Sequence, residues 1–258
     1  MSETEPVLLD RDGAVATLTV NRPDRLNALD TEVLRALLDA IEGLREEDVR
    51  ALVLTGAGEK AFVAGADIEY MSQLSVAEAQ TYAELGHRAT DAIEGFPAPV
   101  IAAVNGYAFG GGCELALASD LRVASENAVI GQTEVDLGIV PGWGGTQRLS
   151  RLVGDSMARR LVFFAERVDA QDAQQMGLVD EVVVGSDLDD HVADMAAELA
   201  AKPAFALQAA KEALNYVHES TLSSGLTYER RLWSGLFGTH DQREGMEAFV
   251  EKRDPDFE

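Results

Sequence analysis

Residues 106–120 read GYAFGGGCELALASD. Gly110, Gly111 and Gly112 stand in a row and run straight into Cys113 and Glu114, within an otherwise apolar stretch. Glycine loses more backbone freedom on folding than any other residue and is normally kept out of helix and strand interiors. Three together imply that something must reach the backbone itself. The residues before them, PVIAAVNGYAF (99–109), read as a strand, and CELALAS after them has helical composition. Backbone N–H groups at a helix N-terminus lack intrahelical partners and lie at the positive end of the helix dipole. Side-chain-free residues there let a substrate oxygen approach those N–H groups, which is the arrangement of an oxyanion hole. A tight turn with close helix–strand packing would need only one glycine.

The flanking sequence alternates strands and helices. VLLDRDGAVATLTVNRP carries a turn at Asp12-Gly13 between two β-rich runs and predicts a hairpin. Asp30 offers an N-cap to TEVLRALLDAIEGLRE, whose apolar residues recur at helical spacing. ALVLTG follows as a short buried strand ending at Gly56-Ala57-Gly58, and residues 75–94 return to helix. RLVFFAERVDAQDAQQMGLVDEVV reads as helix, turn, helix, strand. This alternation through about residue 190 predicts an α/β domain. From Asp187 onward β-branched runs vanish, and helices are expected over about 188–201, 204–218, 222–237 and 241–252. The division expected is a catalytic core over 1–200 and a helical assembly region over 201–258.

Composition narrows the function classes. The chain has 258 residues, 47% of them hydrophobic, enough for a sizeable core. Apolar runs such as PVIAAV are too short to span a bilayer. MSETEPVLL at the amino end is acidic and reads as neither a secretory signal nor a transit peptide, so a cytoplasmic location is expected. The one cysteine, Cys113, cannot form an internal disulfide and reads as a small buried residue. His87, His191, His218 and His240 show no metal-ligand spacing, so no metal site is expected. Asp and Glu number 45 against 21 Lys and Arg, a net charge of −24 that repels nucleic acids and anionic membranes. Only Lys60, Lys202, Lys211 and Lys252 are lysines. Surface carboxylate in excess with so little lysine suits a salt-filled, halophilic cytoplasm; an ordinary acidic enzyme is the alternative.

Two further stretches carry chemistry. In KAFVAGADIEYM (60–71), Ala64-Gly65-Ala66 again expose backbone, and Asp67 reads as the N-cap of a helical turn. The N–H groups of Ala66 and Gly111 together would hold one oxygen from two separate loops. In AVIGQTEVDLGIVPGWGGTQRL (128–149), Glu134 sits among apolar residues, where a lone carboxylate is costly unless partnered or functional. GxxxxGK[ST], GxGxxG in a strand–turn–helix setting and GxSxG are all missing, which argues against a P-loop, a nicotinamide enzyme and a nucleophile elbow. Glu114 and Glu134 are thus the paired acids in glycine-rich, apolar surroundings. Two carboxyls in one dry site push each other's pKa apart and supply an acid and a base near neutrality. Two unrelated half-buried glutamates would give the same composition.

The chain resembles the crotonase (enoyl-CoA hydratase/isomerase) family along nearly its whole length. The resemblance is carried by NRPDRLNALD, FVAGADI, PVIAAVNGYAFGGGCELALASDLRVAS, GQTEVDLGIVPGWGGTQRL, ERVDAQDAQQMGLVDEVV and DQREGMEAFVEKRDPDF. It implies an α/β fold, a spiral of β-β-α turns with a C-terminal helical region that builds trimers, often paired into hexamers. It implies oxyanion donors at the backbone of Ala66 and Gly111 and hydratase glutamates at Glu114 and Glu134. It further implies CoA-thioester contacts at Ala64, Asp67 and Ile68, at Arg25 in the loop after NRP, and at Lys252, which meets the nucleotide from a neighbouring region. The activity implied is hydration of trans-2-enoyl-CoA in fatty acid β-oxidation, with CoA arriving as part of the substrate and no separate cofactor. An isomerase using one base, or a non-catalytic CoA-thioester or RNA-binding role, would be the alternatives. Two positions depart from the pattern. Glu69 stands where hydratases often carry lysine, and Trp143 is bulky where many relatives are small, either shortening the acyl pocket or packing the loop.

Overall fold

Val7–Asp12 (β1) and Val15–Val20 (β2) pair antiparallel across the Asp12-Gly13 turn, with Gly13 at φ +57. They open the computed structural model, which describes residues 5–258. The first four residues of the acidic amino-terminal stretch lie outside it. Asp30 caps Thr31–Leu44 (α1), its side chain accepting from the N–H groups of Glu32 and Val33. The apolar stripe from Val33 to Leu44 is buried, so α1 packs back on the sheet and leads into a parallel strand, Ala51–Gly56 (β3).

From β3 the chain repeats one pattern. A strand enters a large sheet, a short strand enters a second sheet, and a helix returns. The first turn is β3, Ala61–Val63 (β4), then Ile68–Met71 (α2) and Val76–Glu94 (α3). The second is Val100–Val104 (β5), Tyr107–Phe109 (β6) and Gly111–Ala118 (α4). The third is Leu121–Ser125 (β7), Val129–Gly131 (β8), then Gly145–Val153 (α5) and Asp155–Phe163 (α6). Arg167–Asp169 (β9), Ala170–Gln175 (α7), Glu181–Val183 (β10) and Leu188–Ala200 (α8) complete it. The large sheet runs β1-β2-β3-β5-β7-β10 and the small one β4-β6-β8-β9. β3, β5, β7 and β10 are mutually parallel, as are β4, β6 and β8, so successive turns stack into a spiral. The expected α/β spiral is the observed fold.

Two local expectations need correction. PVIAAVNGYAF is two strands in two sheets, because the chain bends at Asn105-Gly106; the Asn105 amide nitrogen donates to Gly56 O and Gly58 O, both at 2.7 Å. Gly106 is needed there, since a Cβ would lie 2.3 Å from the Lys60 carbonyl oxygen. The segment expected to be helix, turn, helix, strand contains a further strand, β9, which closes the small sheet antiparallel to β8.

Alternation along the strands feeds two cores. Leu52 and Leu54 of β3 join the main core with α1, α3 and α4, while Ala51 and Val53 face Leu188, Val192 and Ala196 of α8. Beyond α8 the chain is helical: Ala204–Asn215 (α9), Leu222–Leu236 (α10) and His240–Glu251 (α11). Lys211 anchors α9, donating from Nζ to Asp120 Oδ2 at 2.6 Å and to Ala98 O at 3.1 Å. α10 buries none of its residues, and Trp233, Phe249 and Val250 are among the exposed side chains of the tail. Among the described residues no helix is long and apolar enough to cross a membrane.

Candidate active site

The three glycines meet three different neighbours. Gly110 turns the chain at φ +49 from β6 into α4, and a Cβ there would sit 3.1 Å from Glu134 Oε1. At Gly112 a Cβ would lie 1.9 Å from the Val63 carbonyl oxygen, so glycine lets α4 lie directly on β4. Gly111 leaves room for the Trp143 ring, which a Cβ would meet at 2.2 Å. Gly111 also opens α4, where its N–H has no intrahelical acceptor.

Ala66 is turned toward the same space by its neighbours. Leu29 N donates to Gly65 O at 2.9 Å and Asp67 N donates to Leu29 O at 2.7 Å. This parallel bridge uses the groups on either side of Ala66 and directs the Ala66 N–H away from Leu29. Among the described residues neither Ala66 N–H nor Gly111 N–H donates to a protein acceptor. Both residues line a cavity of about 520 Å³, together with Ala64, Ile68, Glu114 and Glu134. Its apolar walls come from Met71, Leu74, Tyr82, Trp143 and the loop carrying Leu137 and Val140.

Glu114, in the first turn of α4, is 2% exposed. Its Oε1 accepts from the N–H groups of Trp143 and Gly145, both at 2.7 Å. Burial pushes its carboxyl upward, opposed by those two hydrogen bonds and by the fields of His87 and Arg148. Glu134 begins a 3₁₀ turn after β8 and is 8% exposed. Burial, reinforced by Glu114, pushes its carboxyl up from 4.5 to about 7. Oriented by its hydrogen-bonding partners, the Gln132 amide nitrogen donates to Glu134 Oε1 and Oε2 at 3.0 and 3.1 Å. The two acids differ: one carries two backbone donors on a single oxygen, and the other is held near neutrality.

The remaining residues singled out in the sequence lie elsewhere. Asp67 caps α2, accepting from Tyr70 N at 3.2 Å, and its side chain faces Arg22 and Arg25 rather than the cavity. Arg25 lies outside the cavity lining and pairs with both Asp67 and Glu69 at 3.2 and 3.3 Å. The Glu69 carboxylate is therefore partly neutralised by Arg25. Lys252 ends α11 in a left-handed conformation at φ 60 and lies exposed outside the lining. Cys113 is buried, and burial raises its thiol far from the thiolate range. Among the described residues no group of three or more His, Cys, Asp or Glu is placed to hold a metal ion.

Trp143 packs its loop and also borders the cavity. Its ring lies edge-on to Tyr82 at 5.4 Å and fills the space over Gly86 and Gly111, while also lining the cavity. Sequence reasoning missed the Trp143 and Gly145 amides, because a backbone N–H carries no residue signature. It also missed Tyr82, which fixes the wall through a 2.6 Å bond from its hydroxyl to Leu29 O.

Comparison with known proteins agrees with this geometry. The family described as enoyl-CoA hydratase/isomerase matches residues 10–258. The chain is 44% identical to the short-chain-enoyl-CoA hydratase of Clostridium acetobutylicum over 253 residues, covering 97% of each chain. It is 42% identical to the crotonyl-CoA hydratase of Syntrophomonas wolfei, covering 98% of each. Among solved structures, an enoyl-CoA hydratase from Bacillus anthracis superposes with a TM-score of 0.95 at 38% identity, covering 98% of each chain. With fold, glycine turn and family match in agreement along its length, the chain belongs to the enoyl-CoA hydratase/isomerase family.

Proposed function

We propose that the protein catalyses the reversible syn addition of water to trans-2-enoyl-CoA, giving 3-hydroxyacyl-CoA. The observation that carries this reading is the pairing of Glu114 and Glu134 in the cavity that Ala66 and Gly111 also line. The thioester carbonyl accepts from the Ala66 and Gly111 N–H groups, which stabilise the enolate-like charge as it develops; one such donor is worth about 10²–10³ in rate. Glu114 is the base. Its Oε1 is committed to two amides, which oppose the upward push of burial on its carboxyl and leave Oε2 to hold the water. As the water oxygen bonds to C3, its proton passes to Glu114 and Glu134 delivers a proton to C2. A carboxyl near 7 is suited to that donation at neutral pH. Two acids favour hydration over isomerisation, which needs one base.

The proposal needs no metal or redox group, since CoA is part of the substrate. Hydration of this kind fits the second step of fatty acid β-oxidation in the cytoplasm. Lys252 is proposed to reach CoA from a neighbouring subunit, and Arg25 and the Asp67 turn to line its path. Residues 201–258 are proposed as the assembly region of a homotrimer or a dimer of trimers. The exposed apolar side chains of α10 and α11 support that role. The charge of −24 supports a halophilic enzyme and speaks against nucleic acid as a partner. The test is a panel of 2-enoyl-CoA and 3-enoyl-CoA chain lengths assayed at low and molar salt. Hydration of crotonyl-CoA is expected; conversion of 3-enoyl-CoA alone would assign the isomerase instead.

A further inference from the structure

Between the two amides that hold Glu114 lies a carbonyl that is gripped from elsewhere. Trp143 N and Gly145 N converge on Glu114 Oε1, while Trp143 O accepts from Arg148 Nη1 at 3.0 Å and from Thr90 Oγ1 at 3.1 Å, sharing that one hydroxyl proton with His87 O at 3.0 Å. Gly144, at φ 104 and ψ 0, supplies the left-handed turn between them. Such a turn lets the N–H groups of nearby residues converge on one anion. Arg148 is built to hold it. Its side chain is 16% exposed, Nε donates to Glu94 Oε2 at 2.8 Å, and Nη2 donates to Asp91 Oδ1 at 2.9 Å. The guanidinium thus ties the end of α3 and the first turn of α5 to the loop. Arg148 does not line the substrate cavity; it lines a separate cleft behind the loop, with His87 and Gly144.

We propose that Arg148, with Thr90 as second donor, is a positioning residue that holds the Trp143 and Gly145 amides on Glu114 by fixing the Trp143 carbonyl. The proposal rests on the hydratase reading, in which Glu114 is the base. The titratable and charged groups facing Glu114 are Glu134 from the 3₁₀ turn, His87 from α3 and Arg148 from α5. The strands β4, β5 and β6 beneath α4 carry no Asp, Glu, Lys, Arg or His. Releasing the carbonyl loosens both amides, and the buried carboxylate loses its donors. Its protonated form then gains, so the acidic limb of the rate profile moves to higher pH.

The test compares wild type with Arg148→Met, Arg148→Lys, Thr90→Val and Thr90→Ser. Lysine keeps the charge without the planar fork. Both Arg148 variants should lower kcat for crotonyl-CoA by about 10²-fold, the cost of displacing a reacting group by roughly 1 Å. Affinity for a CoA ester should stay within about threefold. The acidic limb of kcat/KM should rise by about one pH unit, the effect of one lost bond to a charged group. Thr90→Val should move the limb the same way by less, and Thr90→Ser should restore it. An unmoved limb in Arg148→Lys and Thr90→Val overturns the proposal, whatever their melting temperatures. So does a wild-type limb in Arg148→Lys beside a shifted one in Arg148→Met, since charge alone would then suffice. If the Arg148 variants fail to fold, the Thr90 pair decides in the same terms. A wild-type enzyme unable to hydrate crotonyl-CoA would instead overturn the hydratase reading itself.

Discussion

Replacing Glu134 by Gln should stabilise the fold above neutral pH while removing the proton that hydration needs. The carboxyl lies in the cavity wall, where burial and Glu114 hold it at about 7 rather than 4.5. A folded-state pKa above the unfolded value means that the fold binds the proton more tightly. That contribution is fully present below about 4.5 and is lost as pH rises through about 7. Each unit of separation corresponds to about 1.4 kcal/mol, so the ionised carboxyl costs the fold about 3 kcal/mol at pH 8. Gln has the same shape and no charge, and relieves that cost. At about 2–4 °C per kcal/mol for a chain of this size, the variant should melt roughly 6–12 °C above wild type at pH 8. Paired melts from pH 5 to 8.5 at equal protein concentration measure it. The difference should be small at the acidic end and level off above about pH 7.5. Destabilisation from the net charge of −24 is nearly the same in both proteins and cancels. A difference independent of pH, or a variant less stable than wild type at pH 8, would refute the reasoning.

Gly111→Ala drives a Cβ to 2.2 Å from the ring of Trp143, the residue whose backbone N–H holds Glu114. Hydration should fall about tenfold or more, with a shift in tryptophan fluorescence; unchanged values of both would contradict the packing described. A chain ending at residue 200 strips away α9–α11 and the Lys211–Asp120 pair. It should aggregate or unfold, and a soluble, active monomer would contradict the proposed assembly region. Rising KCl should increase Tm into the molar range, beyond the point where a Debye length of roughly 3 Å at 1 M has ended simple screening. A Tm flat above physiological salt would leave an ordinary acidic enzyme.

Much of the fold was legible because its signals are local. Asp12-Gly13 specifies a hairpin turn, and the Asp30 and Asp67 side chains cap helices where the sequence places them. The tail helices follow from the loss of β-branched runs after Asp187. The break at Asn105-Gly106 was not legible, because β5 and the middle of β6 are buried and apolar alike, and period two cannot mark a passage between sheets. β9 is three residues long and too short to show a pattern. At the site, glycines beside an acid announced Gly111 and Glu114. The amides of Trp143 and Gly145 belong to the backbone of a distant loop, and only the fold brings them to Glu114.

The central claim is that Glu114 and Glu134 perform the proton transfers of hydration. Its most direct test is crotonyl-CoA turnover by Glu114→Gln and Glu134→Gln, each measured alongside equilibrium binding of a CoA ester. An amide preserves shape but cannot exchange the proton, so each variant should lose about 10²–10⁴-fold in kcat with binding within a few-fold of wild type. Near-native turnover in both variants would contradict the account.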